Sequence, residues 1–477
     1  MASSAVERER FVTKSNMVDF ARCPYAFWLV DGGVVDAEAA VTRLQAAQMS
    51  AGVAFESRVA ADAVAVPQNA TFNDLLAGDA DVLLDTRLVN RKLRLAGIPD
   101  GVRPGGGAVV PIEIKKRPRP TGRDALELAF YWLLLEPYRT RPVRPHGILF
   151  LEWRDQVVEV DVELTAGHFV EVRALVDGVR AARRDGVVPV GLCPCPVCKG
   201  PGRAALVADL VARRHVGLLW SVGPRFTEGL AALDLADFAS LVAADPWEVA
   251  FRLRVGGCNV SAGMVARWQH HAVALLEQRP VTFAKGVPVG RRFIAVDLEY
   301  TPARVWLIAA AVVDGRRRGR VHQFWADDRA ELKAALVALG ELVAANPGLP
   351  VVTWSGNGAD LPQLDRAADQ AGARRAVRAV LERHVDAFAL ARDSVRLAVA
   401  GLGVKEVAAY FGFERTSGVR DGREATWLYG QYRRATSQRA RASLRRELLA
   451  YSRKDVDMLI TAVRGVDALL SGPGSST

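Results

Sequence analysis

The chain has 477 residues, half of them hydrophobic and 24% charged, with a formal net charge of +10. At about 150 residues per domain that length divides into three units, and the balance of apolar and charged residues excludes a disordered or collagen-like chain. The longest apolar runs, such as FYWLLL and VWLIAAAVV, are too short to span a bilayer, and the opening MASSAVERERF lacks an apolar export segment, so a cytoplasmic protein without membrane partners is expected.

The positive balance favours a polyanionic partner. Three basic runs carry much of it: KKRPRPTGR after one acidic strand, GRRRGR at 315–320 between strands, and RRATSQRARASLRR before the last helix. A single run of this kind is usually a solvated face, whereas three beside candidate catalytic acids point to phosphate contact. Five cysteines in a chain of this class argue for thiols or metal ligands over disulfides.

In chain order, Cys23 comes first, in FARCPYAFWL, and Glu56 follows in GVAFES. The segment RKLRLAGIPDGV then reads as a strand ending in a turn at Asp100, and VVPIEIKKRPRP as the next strand leaving into a basic loop. Alternation sends Ile112 and Ile114 to one side and Glu113 and Lys115 to the other. Asp100 can approach Glu113 if the two strands are neighbours. Two carboxylates would serve a metal, and the lysine would position a nucleophilic water and offset charge on a phosphate. The competing reading is a turn aspartate and a surface Glu–Lys pair.

An acid followed by Glu-x-Lys on the adjacent strand resembles the PD-(D/E)XK nuclease core. Two further features resemble its RecB-like members. Glu56 matches an acidic residue on the helix before the core, which in such proteins adds a metal contact. The segment ALELAFYWLLLE is an apolar helix with Glu127 and Tyr131 one turn apart. RecB-like nucleases usually carry Gln at the position of Glu127, and the sequence departs from them there.

Cys193, Cys195 and Cys198 form CPCPVC, in which prolines bend the chain so that the sulfurs can converge on one ion or cluster; free thiols in a loop are the other reading. In several RecB-like nucleases one cysteine before the core and a group after it hold a [4Fe-4S] cluster. The resemblance therefore implies that Cys23 and the trio supply its four thiolates. The spacing here is tighter than the family's, and a tetrahedral Zn2+ accepts the same four ligands. Cys258 reads as a small buried residue.

Residues 200–285 show helical periodicity with glycine breaks, arranged as short helix, turn and helix twice over. This looks like helix-hairpin-helix, whose turns offer backbone N–H groups to phosphate; a plain helical linker is the alternative. His270 and His271 are expected to be surface or packing residues. The run GVPVG at 286–290 closes the segment.

The last third carries four acids and a tyrosine. Asp297 and Glu299, in FIAVDLEY, share a strand face while Val296 and Leu298 go to the core. Asp360 follows VVTWSGNGA, where an aspartate before Leu-Pro is also an ordinary helix N-cap. Tyr451 and Asp455, in LLAYSRKDVDMLI, lie one helical turn apart, though Asp455 alone could be one more solvated acid. Four acids on an apolar sheet repel one another and are costly to bury unless divalent cations neutralise them, as in a two-metal phosphodiester site.

The order Asp-x-Glu, Asp, Tyr-x-x-x-Asp resembles the DEDDy branch of the ribonuclease H-like 3'-5' exonucleases over residues 290 to 466. The resemblance implies that Asp297, Glu299, Asp360 and Asp455 hold two Mg2+ or Mn2+ ions and that Tyr451 orients the attacking water.

The expected fold class is α/β: an N-terminal PD-(D/E)XK restriction-endonuclease-like domain at 1–199, a helical helix-hairpin-helix-like connector at 200–288, a C-terminal ribonuclease H-like domain with a mixed five-stranded sheet at 289–470, and a disordered tail at 471–477. The expected activity is that of a metal-dependent DNA nuclease with a 3'-5' exonuclease site and a second, RecB-like site. Its setting in DNA repair or recombination comes from resemblance alone, and a helicase partner stays open. The rivals are an RNA 3'-end-processing exonuclease and a nucleic-acid-binding protein with one or both sites inactive.

Overall fold

The computed structural model describes residues 11–36, 41, 43–60, 81–83, 87–105, 108–140, 144–283, 286–315, 317–414 and 418–472. The chain divides into two compact units, Met1–Leu206 and Val207–Thr477. The helical segment that the sequence sets apart as a connector falls almost wholly in the second.

The first unit opens with α1 (Lys14–Arg22), α2 (Pro24–Asp31) and α3 (Arg43–Ala60). Thr13 and Asn16 exchange the reciprocal bonds of a capping box at the start of α1, and Cys23 both ends α1 and caps α2. The strands are β1 (Val82–Leu83), β2 (Leu88–Asn90), β3 (Leu95–Gly97), β4 (Gly101–Gly105), β5 (Ala108–Lys115), β6 (His146–Trp153) and β7 (Gln156–Glu163). They are joined by α4 (Gly122–Leu134) and followed by α5 (Ala166–Asp185) and α6 (Pro196–Lys199).

Five of these strands form a sheet in the order β1-β4-β5-β6-β7, in which only β5 and β6 run parallel. A parallel pair needs a crossover, and α4 is that crossover. It is apolar almost all round, with Leu128, Ala129, Phe130 and Leu134 fully buried between the sheet and α5. Because β4 and β5 are neighbours, Asp100 lies beside Glu113.

In the second unit α7 (Arg203–Ala212), which carries the boundary, leads to α8 (Pro224–Ala231), α9 (Phe238–Ala243), α10 (Pro246–Val255) and α11 (Ala262–Glu277). Gly257, with φ at +82°, makes the turn between α10 and α11. His271 is buried on α11, where Nδ1 accepts from the Trp220 amide and Nε2 reaches Val399 O, each at 3.0 Å, so it is a packing residue.

The chain continues through β8 (Val281–Thr282), β9 (Arg292–Thr301), β10 (Arg304–Asp314), β11 (Arg317–Trp325), α12 (Arg329–Ala344), β12 (Val351–Thr353), α13 (Asp360–Ala371), α14 (Arg374–Glu382), β13 (His384–Asp386), α15 (Ala387–Ser394), β14 (Val395–Arg396), α16 (Val404–Tyr410), α17 (Gly422–Arg434) and α18 (Gln438–Ser471). The main sheet has the order β11-β10-β9-β12-β13; the first two pairings are antiparallel and the last two parallel, giving the mixed five-stranded sheet expected.

On β9 the even residues Ile294, Val296 and Leu298 join a core with α12, α13 and α14, while Phe293 and Ala295 face α18 through Val456, Leu459 and Ile460. The 2-residue period therefore sends Asp297 and Glu299 to the α18 side. Two expectations change. The basic run at 315–320 does not lie between strands, because Arg317, Arg318 and Arg320 belong to β11, where charges protect an exposed sheet edge; Arg316 lies outside the described residues. Ser471, expected to open a disordered tail, is the last residue of α18, and residues 473–477 lie outside the described residues.

Candidate active site

Three acids meet on the α18 side of the second sheet. Asp297 and Glu299 come from β9 and Asp455 from α18, and one carboxylate oxygen of each lies within 4.8 Å of the others. Asp297 pairs across the ladder with Ala309 and Glu299 with Leu307, so small and apolar β10 side chains wall the acids on one flank. Glu299 is buried, and the buried Oδ2 of Asp297 finds no hydrogen-bond partner among the described residues. A buried unpartnered carboxylate oxygen is costly unless a cation meets it. Tyr451, one turn before Asp455 and almost wholly buried, donates a hydrogen bond to it.

The electrostatics follow from this crowding. Burial first, and then the charges of Asp455 and Asp360, push the Asp297 carboxyl well above its ordinary range. Glu299 is raised in the same way, by burial and then by Asp297 and Asp455. Lys405, in the first turn of α16, opposes both shifts. Burial and the neighbouring acids also hold the Tyr451 phenol far above the usual tyrosine range, so it stays protonated.

Asp360 does not join the tight triad. It stands one residue inside α13, with Ala359 as the N-cap, and its charge still raises Asp297, Glu299 and Tyr300. Its own carboxyl is raised to about 7, by burial and then by Asp386. The loop that delivers Asp360 is fixed from below. Asp386 accepts the amides of Ser355 and Asn357, each at 3.1 Å, and also caps α15 through Phe388 N at 3.0 Å. Gly356 is required there, since a Cβ would fall 1.9 Å from Thr353 Oγ1.

Residues 294–464 match the model of the RNase_H superfamily. That stretch is an RNase_H-superfamily domain. No curated protein matches the chain. Among solved structures, the family B DNA polymerase from the hyperthermophilic archaeon Pyrobaculum calidifontis aligns with 78% of this chain and 46% of its own, at 14% identity and a TM-score of 0.28. The chain thus spans about half the length of that polymerase, and a score this low carries no argument.

The start of α18, the helix that carries Asp455, forms a basic recess of about 620 Å3 lined by Tyr432, Arg439, Arg441, Arg445 and Arg446 among others. Arg441 lies over the Tyr432 ring at 4.9 Å and Arg445 over Trp325 at 5.0 Å. These two arginines are thereby held in place by aromatic faces.

The first unit holds a separate cluster. Glu113 on β5 is wholly buried; its Oε1 lies 2.6 Å from Lys14 Nζ and also meets Lys115, while Oε2 finds no hydrogen-bond donor among the described residues. Glu127 on α4 reaches Lys115 at 3.0 Å and Lys14 at 3.4 Å. Asp100 accepts the Ile114 amide at 2.7 Å. Tyr131 donates to Ile98 O at 2.8 Å, and Lys14 stands over its ring.

Burial and then Asp100 raise the Glu113 carboxyl, against Lys14 and Lys115. Burial alone would lower Lys14, but Glu113 and Asp100 reverse this and hold the ammonium above its ordinary range. Glu127 is also costly to bury, yet Lys115 and Lys14 bring its carboxyl below the ordinary value. Asp100, Glu113, Lys115 and Glu127 are therefore brought together as the sequence suggests. Glu56 is exposed on α3, and no described contact joins it to them. Lys14, Asp386 and Lys405 were not legible as site residues. The short, cap-like settings of the first two carry no catalytic signature.

Finally, Cys23, Cys193, Cys195 and Cys198 converge, with all four sulfurs within 4.8 Å of one another and Cys258 elsewhere. The hydrogen bond from Cys198 is the main cause that holds the Cys23 thiol down to about 5, while burial pushes Cys193 up to about 12.

Proposed function

We propose that the chain is a metal-dependent nuclease whose principal centre, in the RNase_H-superfamily domain, trims nucleic-acid 3' ends. The observation that carries this reading is the meeting of Asp297, Glu299 and Asp455 within 4.8 Å, with an orphaned buried oxygen on Asp297. Oxygen donors of this kind suit Mg2+ or Mn2+, held by these three residues and by Asp360. When bound, such ions neutralise the acids, activate water and stabilise the leaving 3' oxygen.

The protein's own groups supply the rest. Tyr451 gives its proton to the hydrogen bond with Asp455, which leaves its oxygen lone pairs to accept from, and orient, an attacking water. The Arg439–Arg446 recess receives the phosphate backbone, with Tyr432 and Trp325 steadying the arginines.

In the first unit, Asp100, Glu113 and Lys115 act as a second, RecB-like PD-(D/E)XK centre, supported by the buried unpartnered Oε2 of Glu113. Glu127 stands where the family has Gln, and Lys14 adds a second cation. The division into a nuclease domain at 1–199, a helix-hairpin-helix connector at 200–288 and an exonuclease domain at 289–470 belongs to this proposal. So do DNA as substrate, a role in repair or recombination, and a feeding helicase, which rest on resemblance. No helix among the described residues is long and apolar enough to cross a membrane.

The deciding experiment is Mg2+- and Mn2+-dependent digestion of end-labelled single- and double-stranded DNA and RNA by the wild type, Asp297→Ala and Glu113→Ala. Digestion of RNA alone would make the enzyme an RNA 3'-end processor. Binding without metal-activated cleavage of any substrate would leave a nucleic-acid-binding protein.

A further inference from the structure

We infer that Cys23, Cys193, Cys195 and Cys198 bind a single tetrahedral Zn2+ rather than a four-iron cluster, and that this ion ties the α1–α2 corner to the chain after α5.

The spacing of the sulfurs decides between the two. Zinc–thiolate bonds of about 2.3 Å directed to the corners of a tetrahedron set neighbouring sulfurs about 3.8 Å apart. Cys23 Sγ and Cys198 Sγ stand at 3.8 Å, and no pair among the four exceeds 4.8 Å. A [4Fe-4S] cluster fills the centre with a cube of iron and sulfide and carries each thiolate on the outside of a corner, which spreads the cysteine sulfurs to about 6 Å. Every pair here would have to open by about an ångström or more to admit the cube. A two-iron cluster fails in the same way, because it holds two of its thiolates across its long axis from the other two.

The backbone explains why the sulfurs stay close. Cys23 and Cys195 each serve as an N-cap with proline at the next position, so the chain enters α2 and α6 extended and then turns sharply. The cap acceptor in both is sulfur. Cys23 Sγ accepts from Ala26 N at 3.3 Å and Cys195 Sγ from Cys198 N at 3.4 Å, while Cys193 Sγ takes the Cys195 amide at 3.4 Å. Such N–H groups aim the thiolates and share their charge. In Cys195-Pro-Val-Cys198 the amide of the second cysteine meets the sulfur of the first, so both sulfurs face one point.

Cys198 is fully buried and Cys23 and Cys195 nearly so, which leaves little room to spread. Cys23 and Cys198 are 175 positions apart, so an ion between them closes most of the first unit into a loop, and its binding free energy becomes folding free energy. The site shares no residue with either carboxylate cluster and stands or falls apart from the nuclease reading.

The test is elemental analysis of the full chain purified with and without oxygen, together with its absorption spectrum. We expect about one zinc per chain, no iron or acid-labile sulfide and no visible colour; Co2+ exchanged into the site should give the ligand-field bands of tetrahedral cobalt thiolate. Cys198→Ser should lose the zinc and Cys258→Ser should keep it. Should Cys198→Ser fail to fold, the wild type suffices: a chelator that removes zinc should make four further thiols reactive. Brown protein with iron and sulfide would overturn the assignment. So would a chain that takes up neither Zn2+ nor Co2+, or thiols equally reactive before and after chelation.

Discussion

Lys14, in the first turn of α1, places its ammonium 2.6 Å from Oε1 of Glu113, a wholly buried residue 99 positions later on β5. A buried carboxylate is stable only while cations face it, and Lys14 and Lys115 share that task. Removing one partner of a buried pair costs about 3–5 kcal/mol when nothing replaces it. Because Lys115 remains and Lys14 is partly solvated, Lys14→Met should cost less, about 2 kcal/mol, read as a lower midpoint in denaturant for the first unit. Adding Glu113→Leu should return part of that loss. If the double variant is weaker than the sum of the singles, the two groups do not share one charge balance.

Asp297→Ala should lower 3'-end trimming by about 10³-fold while leaving any Glu113-dependent cleavage intact. Glu113→Ala should do the reverse. The measurement is release of labelled nucleotide from 3'-labelled strands beside internal cutting of circular DNA. Loss of both activities in either variant would mean that the two centres do not work independently.

What the sequence revealed and what it hid have the same physical origin. Side chains at i and i+2 of a strand share a face whatever the tertiary fold, so Asp297 and Glu299 could be paired from FIAVDLEY alone; the same holds for Tyr451 and Asp455 on α18. The four cysteines were legible because so few residue types suit them. Lys14 was not, since Thr-Lys-Ser-Asn reads only as a helix start and the contact with Glu113 depends on how α1 lies against β5. Glu56 illustrates the opposite error: similarity supplies a residue, but the rotation of α3 decides where it points, and it points to solvent. The helices before residue 280 looked like a separate connector because their contact with the C-terminal residues is long-range. Trp220 Nε1 and His271 Nε2 both meet Val399 O at 3.0 Å.

Asp386 is not one of the tight triad, yet its two bonds to Ser355 and Asn357 fix the loop that carries Asp360. A small displacement of a catalytic group costs about 10²-fold in rate, and loss of a group that orients a metal ligand costs about 10–100-fold in affinity. Asp386→Ala should therefore weaken Mg2+ activation by about that factor, and Asp386→Asn, which keeps one acceptor oxygen, by less. Titrations of trimming rate against Mg2+ would separate the two. An unchanged Mg2+ dependence in Asp386→Ala would show that the loop holds itself.

The acid cluster also fixes the sign of a pH effect. Asp297, Glu299 and Asp360 have carboxyls raised chiefly by burial, Asp360 to about 7, whereas unfolded carboxyls titrate near about 4. Between those limits the metal-free folded state holds protons that the unfolded chain has released. Stability must then fall as pH rises through this window, since it rises with pH only where the unfolded state binds more protons. Saturating Mg2+ takes the place of those protons, so it should flatten the decline, and its affinity should weaken as pH drops below about 7. Calorimetric unfolding of the second unit from about pH 5 to about pH 8, with chelator and with Mg2+, measures both effects, and Asp297→Asn should reduce the slope. A metal-free transition that strengthens with rising pH across the window would mean that these buried carboxyls are not raised in the folded chain.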